Sequence, residues 1–208
     1  AATNMFHSKA GLKLVEHWCN FVYRQASKIT VIAPGMKKKL IERGIPEQKI
    51  EVIYNWCDDT QITPVSQTNL TSGLGLEGKF NVVFAGNIGH AQAMSCVIDA
   101  AKILSKNIPD VRFVLIGDGV EVEPLKKKTA DMNLKNVLFF SRKPLNEIGR
   151  ILKKADILFV HLRDDPLFRI TIPSKTQAYL ASGRPILMGV RGDASDLVIK
   201  AKAGLCCE

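Results

Sequence analysis

The 208 residues are 46% hydrophobic and 24% charged, with 9 prolines and 15 glycines, a composition that places the chain among globular proteins and excludes disordered, collagen-like and coiled-coil classes. Lys and Arg outnumber Asp and Glu by 29 to 20, a net charge of +9, so phosphates, nucleic acid or an anionic membrane face are the expected classes of partner. No apolar run approaches the roughly 20 residues that span a bilayer, since FNVVFAG and ILFVHL stop far short of it.

The basic excess is uneven, with nine Lys/Arg against four Asp/Glu in residues 1–56. The five cysteines have no CxxC spacing and the four histidines no HExxH, which predicts reduced thiols in a cytoplasmic protein and no structural metal. The opening stretch AATNMFHSKAGLKLVEHW has neither an initiator Met nor a charged-then-apolar leader, so it is expected to be the interior of a longer protein.

In chain order, Leu12, Val15, Trp18, Cys19 and Val22 recur at three and four residues, which predicts a helix from Gly11 to Ala26 with one buried face. KITVIA (28–33) predicts a strand, MKKKLIERG (36–44) a helix stopped by Gly44, and IEVIYN (50–55) a second strand. These make one βαβ unit whose parallel strands need sheet neighbours from elsewhere. Trp56 to Gly78 is rich in Thr, Ser, Gly and Pro and reads as a linker, dividing the chain into residues 1–56, 57–78 and 79–208.

A regular alternation follows. Strands are predicted at FNVVFAG (80–86), VRFVLIG (111–117), NVLFF (136–140), DILFVHL (156–162), RPILMG (184–189) and a last short GLCC, with helices between them, one of them from Ser174 to Ser182. Near-continuous apolar strands separated by helices predict an α/β fold, a doubly wound parallel Rossmann-like sheet covered on both faces. In such sheets ligands bind at the carboxyl ends of the strands, and four post-strand loops stand out.

The first, AGNIGHAQ, holds Gly86, Asn87, Gly89, His90 and Gln92; its glycines bring backbone amides and a helix N-terminus toward an anion, or simply form a tight turn. The second, IGDGVE, sets Asp118 between Gly117 and Gly119, where an acid suits ribose hydroxyls or, more commonly, a helix cap. The third places Ser141 and Arg142 before Pro144. In the fourth, Pro173, Ser174 and Lys175 open a helix. There a hydroxyl and an amine join the positive end of the dipole as a diphosphate clamp, the alternative being a Ser cap beside a solvated Lys.

The order GNIGxAQ, IGDG, NVxFFxR, ADILFVHL, IPSKxQxYLASGRPIL and GDASDLV resembles the bacterial sugar-nucleotide-dependent glycosyltransferases of family 4, of GT-B fold. It looks closest to the colanic-acid and fucosamine-transferase-like branch that builds cell-surface polysaccharides. The segment KITVIAPGMKKKLIERGIPEQKIEVIYNWCD is similar to the last βαβ of that family's N-terminal domain.

The resemblance implies retaining, metal-independent transfer from a nucleotide-sugar, UDP-linked by expectation, to a lipid-linked or glycan acceptor. The enzyme would work in the cytoplasm, peripheral at the anionic inner face of the plasma membrane. It also implies that the Gly86 to Gln92 loop and Lys175 face the diphosphate, the loop of Ser141 and Arg142 the base, and the helix after Pro173 the ribose.

Three departures from the family pattern stand in the sequence. Asn87 and Gln92 occupy the places of a common cationic pair. The paired glutamates are replaced at Ala178 and Ile170, with Gln177 beside the first as a polar substitute. The acceptor half and the catalytic residues are expected upstream of Ala1, since His7 and His17 do not stand in the family's histidine motif. A fragment, inactive alone and able to self-associate through unpaired strand edges, is therefore expected.

Two rival readings are another sugar-nucleotide or NAD enzyme on the same fold, and a basic nucleic-acid-binding module. The missing GxGxxG opposes NAD. Lys37, Lys38 and Lys39 without aromatic interleaving oppose nucleic acid as a partner.

Overall fold

The computed structural model describes residues 9–58 and 75–207; His7 and most of the expected linker lie outside them. Helix α1 (Lys9–Gln25) is followed by β1 (Ile29–Val31), α2 (Pro34–Glu42) and β2 (Ile50–Val52). The two strands pair in parallel, Ile29 opposite Ile50 and Val31 opposite Val52. Val31, Leu40, Ile45 and Ile50 form their small core, with Tyr23 of α1 packed against it. The second helix starts earlier than the sequence suggested. Pro34 stands in its first turn, where proline's fixed φ and missing N–H suit a helix start.

The predicted buried face of α1 is not buried among the described residues. Val15, Trp18 and Val22 are exposed, Trp18 at 65%, and Leu14 and Phe21 extend the same apolar stripe. The basic excess nearby is partly neutralised, because Lys28 pairs with Glu51, Lys37 with Glu47 and Lys39 with Glu42.

Six further strands, β3 (Phe80–Ala85), β4 (Val111–Ile116), β5 (Val137–Phe140), β6 (Ile157–His161), β7 (Ile186–Gly189) and β8 (Gly204–Cys206), form one sheet in the order β5-β4-β3-β6-β7-β8. Every pairing is parallel. The intervening helices are α3 (Ser95–Asn107), α4 (Val122–Asp131), α5 (Leu145–Lys154), α6 (Pro166–Arg169), α7 (Lys175–Ser182) and α8 (Asp193–Lys200).

Alternation along each strand feeds two cores. Val82, Phe84, Phe113 and Leu115 pack with Val97, Ile98 and Ala101 of α3 and Leu125 of α4. Val83, Val114, Leu158 and Val160 pack with Ile151 and Leu152 of α5, Tyr179 of α7 and Val198 of α8. The chain leaves β3 in one direction for β4 and β5, then returns to lay β6 on β3's other side, so the strand order reverses beside β3 and opens a crevice at its carboxyl end.

One element was not expected. In RDDPLFRIT, Pro166–Arg169 forms a single helical turn whose cap is the Asp165 carboxylate, accepting from the Leu167 amide at 2.8 Å. The Asp-Pro pair is the sequence signal for it. The small sheet touches the large one: the Gly35 amide donates to Asp193 Oδ2 at 2.6 Å, and Cys57 Sγ donates to the Gln177 carbonyl at 3.5 Å.

Candidate functional site

Beyond their last paired residues, β3 and β4 run on side by side as loops. The Gly86 amide donates to the Ile116 carbonyl, the Ile88 amide to the Asp118 carbonyl, and the Glu121 amide to the Ile88 carbonyl. The backbones approach so closely that a Cβ on Gly117, which has φ +145, would collide with the Gly86 carbonyl oxygen. Only glycine combines that φ with no side chain.

The two loops wall a cavity of about 620 Å³ at the carboxyl end of the sheet. Gly86, Asn87, Gly117, Asp118 and Gly119 form one side, and Arg142, Lys143, Ile148 and Ser174 the other. Among the described residues Arg142 makes no ion pair, whereas Lys143 reaches Glu147 at 3.9 Å.

Lys175 lies half-buried beneath the first loop. Its Nζ is 3.4 Å from the centre of the Phe84 ring, and a Cβ on Gly86 would stand 2.9 Å from it. Burial pushes the amine down to about 7, because an ammonium loses hydration there and no carboxylate compensates. Tyr179 fixes the helix that carries it: four residues on, one turn along the same face, its hydroxyl accepts from the Ala85 amide at 2.8 Å. Tyr179 is 1% exposed, and that burial pushes its phenol upward, so it stays neutral.

The structure sorts the remaining candidates. Asp118 faces the cavity and does not cap the next helix, whose N-cap is Glu121 without a side-chain bond. Ser174 stands at the N-cap of α7 but makes no capping bond, leaving its hydroxyl for the cavity. Gly89 is buried; the Gln92 side chain folds back to accept from the Gly89 amide at 3.0 Å. His90 points outward and meets Glu121 at 2.5 Å.

Ser141 lines an adjoining hollow of about 290 Å³ behind the Gly117 to Gly119 loop, apart from Arg142. Pro173 gives its carbonyl to the Thr176 amide. Gln177 is 9% exposed, and the end of its side chain lies against the carbonyls of Ser174 and Pro173 at the start of its own helix, which its amide nitrogen suits. Lys143, Ile148 and Tyr179 were not singled out in the sequence; the spacing of Tyr179 from Lys175 was the available signal for the last.

A second cavity, of about 560 Å³, lies between α3 and the strands β6 and β7, floored by Val97, Phe159 and Leu187. Two of its rim arginines are satisfied internally, since Arg169 and Arg191 both reach Asp164, at 2.8 and 3.5 Å. Its lining lacks the glycine loops of the first, and it is not built for a phosphate. No cluster of three or more His, Cys, Asp or Glu side chains able to hold a metal occurs among the described residues.

Residues 67–208 match the family described as Glycosyl transferases group 1. A protein named as the glycosyltransferase WbjE of Pseudomonas aeruginosa is 26% identical over 177 residues, 84% of this chain and 44% of that one. One named for colanic acid biosynthesis, the glycosyl transferase WcaI of Escherichia coli (strain K12), is 27% identical over 159 residues, 74% of this chain and 38% of its own length. The chain thus spans less than half the length of these relatives. HepE of Anabaena, solved in complex with UDP, superposes with a TM-score of 0.76 at 21% identity, covering 90% of this chain and 51% of its own. That likeness establishes the fold, the α/β architecture of GT-B glycosyltransferases.

Proposed function

Because the chain belongs to the glycosyl transferases group 1 family, we propose that residues 79–208 are the donor-binding part of an enzyme that transfers a sugar from a nucleotide-sugar to a lipid-linked or glycan acceptor, in cell-surface polysaccharide synthesis. The observation that carries this reading is the 620 Å³ cavity at the strand-order reversal, where backbone loops, Arg142 and the start of α7 with Lys175 converge. Such a cavity offers a diphosphate oriented amides, a helix dipole and cations. Structures of HepE with UDP and with UDP-glucose favour a uridine diphosphate donor, and the names of WbjE and WcaI favour sugar transfer.

The diphosphate would lie along Gly86, Asn87 and Ser174 above Lys175, with Asp118 toward the sugar or ribose hydroxyls and Arg142 toward the base. In this reading the negative charge of the leaving diphosphate is balanced by Lys175, Arg142 and the dipole of α7, without a metal. Retention at the anomeric carbon is proposed from the family resemblance, as is an acceptor half outside these residues. The basic first unit supports placement in the cytoplasm, against an anionic membrane face. Its exposed stripe of Leu14, Trp18 and Phe21 supports self-association.

Calorimetry against UDP, GDP and NAD tests the donor reading. Binding of a nucleoside diphosphate and loss of that binding in Ser174→Trp, which fills the cavity, are expected. Binding of NAD without any nucleoside diphosphate would overturn it.

A further inference from the structure

Among the described residues, the amine of Lys175 has no anionic partner. It sits against the Phe84 ring at 3.4 Å, under Gly86, on the first turn of a helix pinned by Tyr179 to Ala85. Gly86 and Ser174, which flank it, both line the cavity. We propose that filling this cavity with a nucleoside diphosphate is coupled to the uptake of one proton at Lys175, so that the ligand itself switches on the charge that holds it. The proposal rests on the donor reading above and adds to it a pH-dependence that a permanently charged lysine would not give.

The groups around this amine and along the adjoining cavity fall into three sets. The end of β3 offers Phe84, Ala85 and Gly86, none ionisable. Tyr179 of α7 stays neutral. Across the cavity stand Asp118 from the β4 loop and Arg142 and Lys143 before α5, with Glu147 held by Lys143.

Burial, not a neighbouring charge, is what brings the amine down to about 7. The ring quadrupole attracts an ammonium and softens this penalty without supplying a counter-charge. An incoming diphosphate supplies one. Its oxygens stabilise the ammonium, the pKa rises in the complex, and a proton enters from solvent.

The sign follows from linkage. Above pH 7 the free site is mostly neutral while the bound site is charged, so affinity falls about tenfold per pH unit until the pKa of the complex is reached. Below pH 7 both forms are charged and affinity levels off.

The test is calorimetry with UDP at pH 8 in buffers of different ionisation enthalpy. At that pH the terminal phosphate, with a pKa of about 6, is already ionised and takes up no proton. Uptake approaching one proton per UDP is expected for the unmodified chain and none for Lys175→Met or Lys175→Arg. The arginine variant should bind with little pH-dependence between pH 7 and 9. NMR of the lysine Nζ in the unmodified chain gives a check that needs no variant: Lys175 should titrate near neutrality alone and not below pH 9 with UDP. UDP binding without proton uptake, or uptake that survives in Lys175→Met, would overturn the proposal and leave the donor reading standing. Absence of UDP binding even at pH 6.5, where the amine is charged, would overturn both.

Discussion

Gly117 and Lys175 carry opposite kinds of constraint. At Gly117 the backbone itself is the restriction, because φ +145 and the contact with the Gly86 carbonyl leave no room for a Cβ. Gly117→Ala should destabilise the large sheet by about 2 kcal/mol, the scale of a forced backbone conformation, measured by urea denaturation. At Lys175 the restriction is solvation. Its pKa is about 7 when folded against 10.5 for a lysine in water, so the unfolded chain binds more protons between those limits and stability rises with pH across that window. At roughly 1.4 kcal/mol per unit, Lys175→Met should therefore be more stable than the unmodified chain by a few kcal/mol at pH 7, the difference closing toward pH 10. Equal stability at pH 7 would place the amine in water.

Among the elements, α1 and α7 differ in how their faces are spent. Helix α7 buries Thr176 and Tyr179, while Ser174 at its start lines the cavity and Lys175 lies against Phe84 under Gly86, so its position and its chemistry depend on the same packing. Helix α1 leaves Leu14 73% and Trp18 65% exposed, and an apolar stripe of that kind favours association with a second surface. Replacing Leu14 and Trp18 with Lys should abolish concentration-dependent oligomers in light scattering while leaving the melting temperature within a degree or two, since exposed positions contribute little to stability. Oligomers that persist in the double variant would point instead to the open strand edges.

In the whole molecule, the two sheet units meet among the described residues through α2 and the segment after β2 on one side and α7 and α8 on the other. The Asp193 carboxylate accepts from the Gly35 amide at 2.6 Å, bridging the first turns of α8 and α2, and Gly35 lies so close to Ile170 that a Cβ would meet its Cγ2 at 2.5 Å. Asp193→Ala should weaken this docking by about 2 kcal/mol, the scale of a hydrogen bond to a charged group. Amide exchange at Gly35 and along α2 should quicken while that of β3 and β4 does not change. Unchanged exchange at Gly35 would show that the docking rests on the other contacts, those of Ile170 and Cys57 among them.

The order of elements, the parallel sheet and the family were legible in the residues, because each strand from Phe80 onward is a nearly unbroken apolar run bounded by turn residues, and that pattern is local. The loops at the strand ends were legible for the same reason: their glycines mark where the backbone must turn. Burial and side-chain direction are not local. Lys175 reads in the sequence as a charge on an exposed turn, and only the meeting of α7 with the end of β3 places it under Gly86 and over Phe84. Gln177, two positions on, reads as a polar substitute for a ligand, and the packing of α7 buries it. Asp118 reads as a cap and faces the cavity. The sequence alone determined which segments are strands and which loops follow them; the tertiary structure decided which of those loops meet at the reversal of strand order and which of their side chains are covered or left for a ligand, because solvation depends on what every other segment has already covered.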